Sequence, residues 1–194
     1  MKVIGINGSA RKDGNTDIII KKIFDELNKE NIETELIQLS GQNLQGCIGC
    51  GGCFKSKDKK CVFKNDIVNE CIEKMMEADG IILGSPVYFA DVTANMKALL
   101  ERIGMVSKAN NNLLKHKIGS SVVAVRRGGA IHAFDTLNYF LHYNQMYSVG
   151  GTYWNMMYGK EVGEVLNDRE GMENMKSIGE NMAWILNKID SNRS

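Results

Sequence analysis

The stretch Ile4-Gly-Ile-Asn-Gly-Ser-Ala-Arg-Lys-Asp-Gly-Asn-Thr16 carries a short apolar strand into a loop of Gly, Ser and Asn that opens a helix. Val3 to Ile6 is apolar enough for the interior of a parallel sheet, and after Thr16 the residues Ile19, Ile20, Ile23, Phe24 and Leu27 recur at helical spacing. The chain must turn sharply between the two, which Gly8 and Gly14 permit. A helix starting there presents unpaired N–H groups and the positive end of its dipole to an anion. Ser9, Asn15 and Thr16 add side-chain donors and Arg11 a guanidinium. The stretch reads as a phosphate seat.

What the loop lacks narrows the ligand. A P-loop puts Lys and then Ser or Thr directly after its last glycine, but Asn15-Thr16 follows Gly14, which argues against nucleoside triphosphate hydrolysis. The dinucleotide fingerprint needs G-x-G-x-x-G and an acidic residue closing the second strand, whereas that strand closes Gln38-Leu39-Ser40. What remains is a phosphate monoester at the first strand-to-helix turn. In the flavodoxin-like variant of the doubly wound sheet, the guest at that turn is a mononucleotide flavin.

Composition sets the frame. A chain of 194 residues is the size of one α/β domain, and we expect residues 1–194 to form one, with a Cys-rich loop over 41–65. The formal net charge is +1 with no long run of one sign, so neither nucleic acid nor a membrane surface is expected as a partner. The first residues enter a strand at once and no apolar run reaches membrane-spanning length, which predicts a cytoplasmic protein. Of five cysteines, four fall between Cys47 and Cys61; in a reducing compartment that clustering favours metal or redox chemistry over disulfides.

Strand and helix patterns alternate along the chain. A second strand is expected over 32–39, and a helix capped by Asp66 with Ile67, Val68, Cys71, Ile72, Met75 and Met76 on one stripe. A strand over 80–84 leads into Ser85-Pro-Val-Tyr-Phe-Ala90, followed by a helix with Met96, Leu99, Leu100 and Ile103 on one face. A strand over 118–125, a helix over 133–144, a fifth strand near 146–154 and an amphipathic helix after Asp168 complete the chain. The pattern is that of an α/β flavodoxin-like three-layer sandwich with a five-stranded parallel sheet of order 2-1-3-4-5. Ligands in such a sheet bind outside the carboxyl ends of the strands at the switch point, where loops 8–16, 85–91 and 126–129 converge.

Pro86, Val87, Tyr88 and Phe89 place two aromatics and a restricted backbone where a flavin ring would lie. Arg126 or Arg127 could stabilise negative charge on a reduced flavin, and Gly128 and Gly129 let the backbone approach the ring. The second constellation is Cys47-Ile-Gly-Cys50-Gly-Gly-Cys53, with Cys61 after seven further residues. Three thiols in a glycine-rich run can wrap a [4Fe–4S] cluster and take a later Cys as fourth ligand. Zinc, usually held by two separated pairs, and free thiols are the alternatives. Cys71 sits on an apolar stripe and reads as a core thiol. Lys55, Lys57, Lys59 and Lys60 read first as solvated loop lysines; around a cluster they would form a basic surface suited to an acidic electron donor. Tyr143, Met146, Tyr147, Tyr153, Trp154, Met156 and Met157 offer apolar area for a subunit interface, with core packing as the alternative for several of them.

Together the runs 8–16, 47–53 with Cys61, 85–88 and 127–129 resemble the NADPH-dependent FMN reductase group of flavodoxin-like proteins, and within it the iron–sulfur flavoproteins. That resemblance implies noncovalent FMN held by Ser9, Arg11, Asn15, Thr16, Pro86, Val87, Tyr88, Phe89, Arg127, Gly128 and Gly129. It also implies a [4Fe–4S] cluster on Cys47, Cys50, Cys53 and Cys61, a homodimer or homotetramer, and electron transfer from ferredoxin to a quinone, oxygen or similar acceptor. The competing expectation is a cluster-free NAD(P)H-dependent reductase of flavins, quinones or nitro compounds. A redox-responsive binding module whose thiols form a switch ranks third.

Overall fold

The structure is a computed structural model and describes residues 1–191. Strands β1 (Lys2–Asn7), β2 (Glu33–Gln38), β3 (Gly80–Pro86) and β4 (Ile118–Val125) pair in parallel, and the outer edge of β4 carries β5 (Tyr147–Ser148) and β6 (Met156–Tyr158). The order is 2-1-3-4-5, as the alternation of elements predicts. Because successive side chains of a strand point to opposite faces, the strands feed two cores. Val3, Ile82, Ile118 and Val122 pack under α1 (Asn15–Lys29) and α6 (Arg169–Ser191), with Ile19, Ile23, Met175 and Met182 among their partners. Ile4, Ile6, Leu83 and Val123 face α3 (Val68–Glu77), α4 (Ala94–Ala109) and α5 (Ala130–Tyr143). A short helix, α2 (Gly52–Ser56), stands apart in the cysteine loop.

The fifth strand is where the chain departs from the sequence pattern. It is expected as one run near 146–154, but β5 pairs with the start of β4 and β6 with its end, so the one position is filled by two short strands. Asn174 of α6 explains the gap. Its side chain accepts from the Tyr153 N–H at 3.1 Å and donates to the Trp154 carbonyl at 3.0 Å, using backbone groups that a continuous ladder would need. The same split sends Met146, Met156 and Met157 into the core, so these three are not interface residues; Tyr143, Tyr147, Tyr153 and Trp154 stay exposed.

The seating of α1 depends on close approach. A Cβ at Gly84 would lie 2.7 Å from Ile20 Cδ1 and 3.0 Å from Thr16 Cγ2, so a side chain there would push the first turn of α1 off the sheet. Cys71 is fully buried between α3 and the sheet, as its place on an apolar stripe predicts. Burial pushes its thiol up to about 12, so the native chain keeps a proton that the unfolded chain gives up at about 8.5. The stabilising effect is complete below the lower value and lost as pH rises toward the upper one. Replacing Cys71→Ala should cost about 1 kcal/mol at neutral pH. Denaturant titrations should show that variant losing less stability than the parent above pH about 9; equal alkaline losses would refute the assignment.

Candidate functional site

At the carboxyl ends of β1, β3 and β4 the loops are tied to one another. The Gly8 N–H donates to the Gly84 carbonyl at 2.8 Å, the Thr93 hydroxyl donates to the Gly8 carbonyl at 2.7 Å, and Thr93 N–H donates to Ser85 Oγ at 3.1 Å. Thr93 is also the N-cap of α4, accepting from Met96 N–H at 3.3 Å. One hydroxyl thus fixes the first turn of α4 against the first loop.

Within that loop Ser9 is buried and its Oγ accepts from Arg11 N–H at 3.1 Å, while the Arg11 side chain is exposed. The N-cap of α1 is Gly14, which offers no capping side chain, so the first N–H groups of the helix are left for another acceptor. Thr16 Oγ1 and Asn7 Nδ2 are buried and have no hydrogen-bond partner among the described residues. A buried hydroxyl without a partner beside open helix N–H groups fits a phosphate oxygen. Asp17 on the same turn is paired with Lys21 at 2.8 Å, which offsets its charge. Asn15 is occupied differently from the sequence expectation. Its side chain donates to the Glu161 carbonyl at 2.9 Å and accepts from Gly163 N–H at 2.8 Å, so it fastens the loop after β6 and leaves only its backbone N–H for an anion.

The loop after β3 makes a tight turn in which Tyr88 N–H and Asp91 N–H donate to each other's carbonyls at 2.8 and 3.0 Å. Phe89 and Ala90 take left-handed backbone angles, φ 48° and 64°, a conformation that costs a side-chain-bearing residue free energy. Phe89 is wholly exposed and Tyr88 half so, while Val87 N–H donates to the Ala124 carbonyl at 3.0 Å. Gly129, at φ 83°, lies against this turn: a Cβ there would come 2.9 Å from Ala90 Cα. The two loops therefore border one crevice. Asp91 joins it to α5, accepting from Thr136 Oγ1 and Val92 N–H, each at 2.7 Å. Its burial works against ionisation, but these bonds outweigh it and hold the carboxyl below its ordinary range. The two arginines part company: Arg126 lines a cavity of about 480 Å³ with Tyr158, Lys160, Glu164 and Asp168, and Arg127 does not.

The four cysteines at 47, 50, 53 and 61 line a single small pocket with Val62, Phe63, Arg102, Met105 and Val106. Gly49 and Gly51 take left-handed angles in its wall. Helix α4 forms the floor. Cys47 N–H donates to Glu101 Oε2 at 3.4 Å, Cys53 Sγ lies 3.8 Å from the Met105 carbonyl, and Arg102 Nε–H donates to Cys61 Sγ at 3.3 Å. Asn69 clamps the Cys61 backbone from both sides, accepting its N–H at 2.8 Å and donating to its carbonyl at 3.0 Å. Burial pushes the Cys53 thiol above its ordinary value, so a metal bound there would have to displace a proton. Among the described residues no three His, Cys, Asp or Glu side chains converge on one metal ion. A cubane asks for a different arrangement, since each thiolate takes a separate iron.

Sequence reasoning missed Arg102, which is buried and forms a two-pronged pair with Asp66. The available signal was a charged residue on the stripe shared by Leu99, Ile103 and Val106. Thr93 and Asp91 were missed as well, because their roles rest on contacts distant in the chain.

The sequence model of the family described as NADPH-dependent FMN reductase matches residues 1–161. An iron–sulfur flavoprotein of Methanocaldococcus jannaschii is 37% identical over 97% of this chain and 99% of its own length. An iron–sulfur flavoprotein of Methanosarcina thermophila is 30% identical over 100% of this chain and 99% of its own. In fold the chain is similar to RosB (TM-score 0.78, 17% identity, 100% of this chain and 82% of that one). It is also similar to an archaeal flavodoxin (TM-score 0.62, 16% identity, 96% and 99%). A flavodoxin-like sheet, joined to the family match over residues 1–161 and to relatives matched over nearly the whole length, places the chain in the NADPH-dependent FMN reductase family, as a flavin-dependent oxidoreductase.

Proposed function

We propose that the protein is an FMN-dependent oxidoreductase of iron–sulfur flavoprotein type. Ser9, Arg11, Thr16 and the opening N–H groups of α1 would hold the FMN phosphate. The backbone of 86–89, with Tyr88, and Gly128 and Gly129 would border the ring, and Arg127 would offset negative charge on it. Cys47, Cys50, Cys53 and Cys61 would hold a [4Fe–4S] cluster. When bound, FMN supplies one- and two-electron chemistry and the cluster one-electron relay. The chain's own part is to bind, to orient and to set charge. Electrons would come from a donor such as ferredoxin, drawn by the exposed Lys55, Lys57, Lys59 and Lys60, and leave to a quinone, oxygen or similar acceptor. No described helix is long and apolar enough to cross a membrane.

The observation that carries the cluster is the single pocket lined by all four thiols. The family match favours a second reading, direct reduction by NAD(P)H with idle cysteines. Anaerobically purified protein should hold about four irons and four sulfides per chain. Cys50→Ala should abolish the iron and leave FMN bound, because the phosphate loop is a separate element. In stopped-flow mixing, reduced ferredoxin should bleach the flavin faster than NADPH does; rapid bleaching by NADPH in iron-free protein would install the second reading.

Thr16→Val tests the phosphate seat, since it removes the partnerless hydroxyl and keeps the shape. A hydrogen bond to a charged group is worth about 1.5–3 kcal/mol, so FMN should bind about tenfold to a hundredfold more weakly in a fluorescence titration. The FMN-free variant should melt no lower than its parent. Unchanged affinity would remove Thr16 from the site.

Exposed Tyr139, Tyr143, Tyr147, Tyr153 and Trp154 lie on or after α5 and supply area for a homodimer or homotetramer. Light scattering at micromolar concentration should report a multiple of 21.6 kDa, and a monomer mass would count against it.

A further inference from the structure

Arg102 is the largest fully buried side chain of the chain's described core, and every one of its donors can be traced. Two prongs meet the Asp66 carboxylate. Others reach the Gln45 carbonyl at 3.4 Å and the Phe63 carbonyl at 3.2 Å, and the guanidinium lies 5.4 Å from the centre of the Phe63 ring. Anchoring the ends of the cysteine loop needs only these contacts. The remaining Nε–H points at Cys61 Sγ, a weak acceptor as a thiol and a strong one as a metal-bound thiolate.

Resting on the proposed cluster, we infer that Arg102 is a positioning residue for it, which presets Cys61 as the fourth ligand and raises the cluster's reduction potential through an N–H···S bond. The fork explains why Arg stands here. A lysine ammonium is a single point of donation and cannot meet a carboxylate on two prongs, two carbonyls and a sulfur together. Asp66 neutralises the guanidinium, so what reaches the sulfur is an oriented donor within a compensated pair. Hydrogen bonds to cluster sulfurs and local charge are the means by which a protein tunes such a centre. Among the described residues the other three cysteines show no comparable side-chain donor: Cys47 and Cys53 meet α4 through a backbone N–H and a weak thiol contact.

Two variants and one measurement on the parent protein test this. Arg102→Lys keeps the charge and loses the fork. The double variant Arg102→Gln with Asp66→Asn removes both charges at once, leaving no buried ion unpaired. In holoprotein of either, with FMN content retained, the cluster's reduction equilibrium should move at least tenfold toward the oxidised form, about 59 mV for a one-electron couple. Iron should pass to a chelator about tenfold faster. If neither variant folds, parent protein grown on isotopically labelled arginine decides: pulsed EPR of the reduced cluster should show coupling to an arginine nitrogen, and its absence would overturn the inference. A folded variant with the parent's potential and iron retention would also overturn it while leaving the cluster in place. Parent protein that takes up no iron on anaerobic reconstitution would remove the cluster and this inference together.

Discussion

The hydrogen bond from the Thr93 hydroxyl to the Gly8 carbonyl, 2.7 Å long and buried, is the constraint on which both candidate sites depend. It fixes the N-terminus of α4 beside the first strand-to-helix turn. From there the helix axis is set by packing, and at the rise of about 1.5 Å per residue the nine residues to Arg102 carry the chain about 14 Å away from the phosphate seat. Glu101, Arg102 and Met105 then meet the cysteine loop. One helix therefore links the two candidate sites, and a shift at its cap would be felt at both.

The energetics of the cysteine loop differ from those of the sheet. The sheet is held by apolar burial on both faces, whereas residues 45–66 leave Ile48, Phe54 and Val62 exposed and have little core of their own. The Arg102–Asp66 pair ties the end of the loop to α4. Taking both charges out of water is costly, so the pair adds little net stability against an apolar substitute. Losing one partner alone would cost on the order of 3–5 kcal/mol. Burial opposes the guanidinium's charge, but Asp66 and Cys61 outweigh it and raise its affinity for the proton.

Much of the fold was legible because its causes are local. The apolar run 3–6, the stripe from Ile19 to Leu27 and the strand at 118–125 each follow from periodicity, and the structure places β4 at Ile118–Val125. The fifth strand was legible in its place but not in its division, since Asn174 interrupts it from 20 residues farther along the chain. The site divides the same way. The glycines and hydroxyls of the first loop and the spacing of the cysteines are visible as motifs. Asn15 reads as a phosphate donor until the loop at 161–163 takes its side chain, and the partners of Arg102 come from the cysteine loop, distant in the chain.

The divided fifth strand also bears on how the molecule behaves in a crowded solution. An open sheet ends in a row of unpaired N–H and C=O groups, a template onto which another chain's strand can add. Here that margin is two residues of β5 and three of β6, with the backbone of Gly150, Tyr153 and Trp154 between them tied to side chains of α6. The opposite margin, β2, carries Glu33 and Glu35, both paired with Lys2. A long ribbon is missing on one side and charge guards the other. Short strands on one margin and charge on the other are the features that disfavour pairing with a strand of another chain.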